Sequence, residues 1–70
     1  MLDRDYLFDT VMEQLSIDID NVNEFEEAIR IAVDAEIDAT IATCEEDEID
    51  YQALEEDVLS AARRAVDQIH

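Results

Sequence analysis

The apolar positions of the chain fall into three helical patterns. In the first, Leu7, Val11 and Leu15 recur at i, i+4 and i+8 with Phe8 and Met12 beside them, the spacing of one face of an α-helix. Asp3 stands where a first-turn cap belongs, and Ser16 lies near the expected end. The stretch Ser16-Ile17-Asp18-Ile19-Asp20 then alternates polar and apolar residues. A lone strand of that length has no partner to pair with, so it predicts an extended connector. The second pattern is the longest. Asp20 or Asn21 can cap it, and Asn21 with Glu24 resembles a capping box. Phe25, Ile29, Val33, Ile37 and Ile41 form one ridge at i+4, with Val22, Ala28, Ala32 and Cys44 alongside. Ile31, Ala35, Ala39 and Ala42 form a second ridge of smaller side chains. Two apolar stripes on one helix predict contacts on two sides, which makes this the central helix.

Four consecutive carboxylates, Glu45-Glu46-Asp47-Glu48, interrupt the pattern. They suit a helix C-terminus badly, because its dipole favours cations, and suit the first turn of a third helix well. That helix carries Tyr51, Leu54, Val58, Ala61, Ala62, Ala65 and Ile69 on one face, flanked by Leu59 and Val66. Arg63, Arg64 and His70 lie toward its end, where positive charge complements the dipole. The expected architecture is all-α: a small three-helix bundle with a long central helix, forming one acidic helical domain over residues 1–70.

Charge narrows the functional classes. Twenty-one Asp and Glu face four Arg and no Lys, a formal charge of −17. A surface that binds nucleic acid directly needs clustered Lys and Arg, and so does adsorption to an anionic membrane. Such charge in a poorly apolar chain signals disorder, but 49% apolar residues allow a core. Gly is absent, and with it the phosphate-cradling loops and dinucleotide fingerprints that need close backbone approach. Pro is absent too, so there is no polyproline ligand. One Cys and one His supply neither an internal disulfide nor a zinc site. MLDRDYLFDT lacks the apolar run of a signal peptide, and no run approaches the ~18–20 residues of a membrane span. The expectation is a soluble protein of the cytoplasm that uses no cofactor and no metal.

Candidate chemistry is sparse. Catalytic carboxylate pairs need two different environments, and no pair here is set apart, although Glu13 and Glu36 lie nearest the apolar stripes. Asp18, Asp20 and Glu26, or Glu46, Glu48 and Asp50, place oxygens in a calcium-like series. Both lack the glycine that an EF-hand loop requires. Cys44 continues the apolar spacing of helix two, where a free thiol acts as a small hydrophobe. The serines sit in Leu15-Ser16-Ile17 and Leu59-Ser60-Ala61, neither of which matches the Asp-Ser-Leu turn of acyl carrier proteins. These observations point away from an enzyme.

The acidic surface carries the remaining signal. Asp34 and Asp38 are i, i+4 on helix two, ~6 Å apart along its axis. Glu27 extends the row in one direction and Glu45 in the other. Glu46, Asp47 and Glu48 follow, and Glu48, Glu55 and Glu56 with Asp57 form a second row on helix three. Carboxylates spaced by several ångström imitate the phosphates of a nucleic-acid strand. Salt adaptation produces a similar composition, but eight Ile are a generous apolar content for a haloadapted chain.

In size, charge, helicity and absence of catalytic motifs, the chain resembles the small acidic inhibitors of phages and mobile elements, the anti-CRISPR proteins and DNA mimics. The resemblance implies a non-enzymatic inhibitor in the cytoplasm of a host cell. It would block a basic nucleic-acid-binding site on a host protein or effector complex through Glu27, Asp34, Asp38, Glu45, Glu46, Asp47, Glu48, Glu55 and Glu56. The alternative is a small acidic interaction or regulatory module acting through an apolar ridge. In that reading Ile31, Ala35, Ala39 and Ala42 form a homodimer interface, since small residues let helices approach closely.

Overall fold

The computed structural model describes residues 3–69 and is all-α, with three helices and, among those residues, no strand. Helix α1 spans Arg4–Asp18, α2 Glu26–Thr43 and α3 Tyr51–Ile69. Single 3₁₀ turns, Val22–Phe25 and Glu46–Glu48, precede α2 and α3. Each helix packs on the other two, and the α2–α3 hairpin makes the most extensive contact. The bundle measures 36 × 19 × 16 Å.

Helix α1 starts where its cap predicts: the Asp3 carboxylate accepts the Tyr6 amide at 3.1 Å. It runs further than the alternating stretch suggested. Ser16, Ile17 and Asp18 are helical, and the chain turns extended only at Ile19, whose amide still reaches the Leu15 carbonyl at 2.8 Å. Ile17, the apolar residue of the expected connector, is 75% exposed on this last turn. The Ser16 hydroxyl donates to the Glu13 carbonyl at 2.7 Å, a local bond compatible with a helix. At the second boundary the capping box does not form. The Asn21 side-chain Nδ2 donates to the Glu24 carboxylate at 2.9 Å instead of the two side chains serving backbone groups. The chain therefore enters α2 through the 3₁₀ turn.

The core is the sum of the predicted stripes. Leu7, Phe8, Val11 and Leu15 of α1 meet Ile29, Val33 and Ile37 of α2, and Leu54, Val58, Ala62 and Val66 of α3, with Val22 closing one end. Burying one such Leu, Ile or Val stabilises the fold by about 1.5–3 kcal/mol. Among the described residues no polar side chain is buried, so the core demands no internal hydrogen bonding.

The long central helix is α2, with 18 residues, and α3 matches it with 19. Several expectations need correction. Because α2 stops at Thr43, Ile41 near its end is 49% exposed, and Cys44 is an exposed cap rather than a packed one. Both neighbours of α2 pack against the one ridge through Ile29, Val33 and Ile37. The second ridge stays uncovered, with Ile31 at 63% exposure and Ala35, Ala39 and Ala42 exposed. On α3, Val66 belongs to the core rather than to its flank, Ala61 and Ala65 are half-buried, and Tyr51 and Ile69 are exposed.

Candidate partner-binding surface

The α2–α3 connection concentrates negative charge. After Thr43 the backbone turns extended at Cys44, whose amide closes the last helical bond to the Thr40 carbonyl at 2.8 Å. Glu46–Glu48 then form a separate 3₁₀ turn rather than the first turn of α3, with the Glu48 amide bonded to the Glu45 carbonyl at 2.9 Å. The capping role falls to Asp50. Its carboxylate accepts the amides of Gln52 at 3.1 Å and Ala53 at 3.3 Å. Ile49 sits just before that cap and packs against the core that holds Leu54, the two positions of a hydrophobic staple. Ile49 and Asp50 thus anchor the connection, while Glu45, Glu46, Asp47 and Glu48 are exposed. The positive N-terminal end of α3 helps to hold this charge in place.

All four arginines, by contrast, face another helix of the same chain. Arg4 of α1 reaches Asp34 at 3.4 Å and Asp38 at 2.5 Å, both on α2. The hydrogen bond to Asp38, assisted by Asp34, raises the Arg4 guanidinium further above its ordinary value. Arg30 of α2 lies 3.5 Å from Asp5 of α1 and places its guanidinium carbon 4.2 Å from the centre of the Phe8 ring, a cation–π contact. Arg63 of α3 binds Asp18 of α1 at 2.6 Å, and Arg64 approaches Glu36 of α2 at 3.7 Å. Every helix pair is bridged. These arginines do not serve helix C-termini, as the sequence pattern suggested for Arg63 and Arg64; the expected His70 contribution lies outside the described residues.

The candidate carboxylates divide accordingly. Glu27, Asp34 and Asp38 share one face of α2, but Arg4 holds the last two, and Asp34 is half-buried. Glu45 has left the helix and joins Glu46, Asp47 and Glu48 in the connecting turn. The second row does not form on α3. Glu48 precedes the helix, Glu55 is half-buried and Glu56 is exposed, and adjacent helical residues point ~100° apart. No basic residue occurs between Arg30 and Arg63, so the connecting turn holds four consecutive carboxylates with no cation near them in the sequence.

Sequence reasoning missed the arginine bridges because their partners lie far along the chain: 34 residues separate Arg4 from Asp38, and 45 separate Arg63 from Asp18. Among the described residues, no helix is long and apolar enough to cross a membrane, and no group of His, Cys, Asp and Glu is arranged to hold a metal ion. No family model, curated protein or solved structure matches the chain.

Proposed function

We propose that this protein is a non-enzymatic inhibitor whose acidic helical surface occupies a basic nucleic-acid-binding site on another protein or effector complex, as its resemblance to anti-CRISPR and DNA-mimic proteins implies. One observation carries the reading: the sorting of charge. The four arginines are spent on bridges between helices, while Glu45, Asp47, Glu48 and Glu56 project outward. The excess of exposed carboxylates speeds encounter with a basic groove and orients the complex.

Competition tests the reading. A basic nucleic-acid-binding protein retained on the immobilised chain and released by a salt gradient is mixed with labelled duplex and increasing amounts of the chain. The chain is expected to displace the duplex. The variant Glu45→Gln/Asp47→Asn/Glu48→Gln is expected to lose most of that activity while its circular dichroism stays helical. A stable complex containing chain, partner and duplex together would refute the proposal, as would undiminished displacement by the variant.

A further inference from the structure

We infer that the outer face of α2 docks a basic amphipathic helix of the partner, about three turns long and carrying Lys or Arg at both ends. The inference rests on the proposed acidic-surface function and specifies which element of the partner the chain grips. Helical periodicity orders the surfaces around α2. Ile29, Val33 and Ile37 face the core, and Asp34 and Asp38 lie toward α1, where Arg4 holds them. Glu36 lies toward α3, beside Arg64. Opposite the core run Ile31, Ala35, Ala39 and Ala42, all exposed. From Ile31 to Ala42 the strip is about 16 Å long, or three helical turns. Beside it, Ala32, Ala35 and Ala39 of α2 face Ala61 and Ala65 of α3 across an open groove. Between Ile31 at one end and Glu36, Arg64 and Gln68 along the α3 side, the alanine side chains leave room for a second helix to approach closely.

The charges around this strip select its occupant. Its long sides carry bridges that offset part of the negative charge, one Arg4 against Asp34 and Asp38 on one side and Arg64 against Glu36 on the other. Its two ends are acidic. A recess beside Ile31 is lined by Glu24, Glu26 and Glu27, and its one cation, Arg30, is turned to Asp5 and Phe8 of α1. A recess beside Ala42 is lined by Glu45, Glu46 and Glu48 together with Ile41. An apolar strip acidic at both ends complements a helix with a small apolar face and basic ends. A second copy of the chain fits poorly. Whether α2 packed on its symmetry mate in parallel or antiparallel, acidic ends would meet acidic ends, and like-charge juxtaposition is costly.

The test uses two probes on the isotopically labelled chain. One is a synthetic helix with an Ala/Leu face and paired Lys at each end; the other is an unstructured oligolysine of equal charge. The helical probe is expected to shift the amide resonances of Ile31, Ala35, Ala39 and Ala42. The exposed-site variant Ala35→Gln/Ala39→Gln should weaken it about tenfold, while oligolysine binds parent and variant alike. If the variant binds the helical probe as tightly as the parent does, the docking inference fails and the acidic-surface function stands. If neither probe binds, both fail. Sedimentation equilibrium is expected to show a monomer, and a dimer abolished by the same variant would assign the strip to a second copy and overturn the inference.

Discussion

Glu45→Gln/Asp47→Asn/Glu48→Gln removes three exposed carboxylates from one short turn and should leave the fold intact or firmer. The three side chains carry no hydrogen bond to a backbone cap, and the caps that matter, Asp50 and Ile49, are retained. Two unit charges about 7 Å apart in water repel by ~0.6 kcal/mol, and physiological salt, with its Debye length near 8 Å, cuts this to ~0.2–0.3 kcal/mol. Several such pairs disappear together. Part of the relief also reaches the unfolded chain, because the residues are sequence neighbours. The opposing loss is the attraction of nearby carboxylates to the α3 dipole, ~0.3–1 kcal/mol. The net change is therefore within about 1 kcal/mol, favourable at low salt and close to zero at high salt. For a domain of this size, 1 kcal/mol moves Tm by about 4–8 °C. Thermal melts followed by circular dichroism at low and high NaCl read both values. A loss of more than ~8 °C at both salt concentrations would mean that these carboxylates hold the fold together, and the reasoning that frees them for a partner would fall.

Three further outcomes follow from the packing. Ile37→Ala empties a fully buried site among all three helices. It should cost ~2–5 kcal/mol, comparable with the ~3–5 kcal/mol a core of this size supplies, so the cooperative melt should disappear. Asp50→Ala removes the acceptor for two amides of the first turn of α3 and should cost ~0.5–2 kcal/mol; faster hydrogen exchange confined to residues 51–54 checks it. Arg63→Gln breaks an ion pair that is half-exposed on both sides, so the loss should stay at ~0.2–1 kcal/mol, and a melt that collapsed would show that bridges rather than apolar burial dominate.

Local periodicity made the helices legible. The i, i+4 ridges of Leu7, Val11 and Leu15, of Ile29, Val33 and Ile37, and of Leu54, Val58 and Ala62 are the core of the bundle. Asp3 was equally readable, because a cap acts only three residues away. The boundaries without Gly or Pro were harder. Ser16–Asp18 alternates like a strand, yet intrahelical bonds continue through it. Glu45–Glu48 suits a helix N-terminus by charge, but Ile49 must be carried inward to the core and Asp50 makes the cap. This pushes the acidic run into a turn of its own. In the candidate surface, the small ridge on α2 and the acidic run could be read from spacing. That the ridge stays uncovered within the bundle could not, because it depends on where α1 and α3 pack. The capture of Asp34 and Asp38 by Arg4 could not, since it depends on how α1 lies against α2.

That capture changes what acidity means in this protein. A chain with −17 charges and scattered arginines would present mixed signs to any partner. Here each arginine is bound to a carboxylate on another helix, so the few positive charges lie along the helix seams. The apolar core supplies the stability and contains no polar side chain among the described residues. The bridges are exposed and individually weak, so their larger effect is on the shape of the field. They offset part of the charge along the flanks of α2, whereas the acidic recesses at its two ends hold only Arg30, itself turned to α1. A uniform acidic coat would attract any basic surface equally. An apolar strip bounded by two acidic ends favours a partner whose basic residues are spaced to match, and this is where specificity would come from.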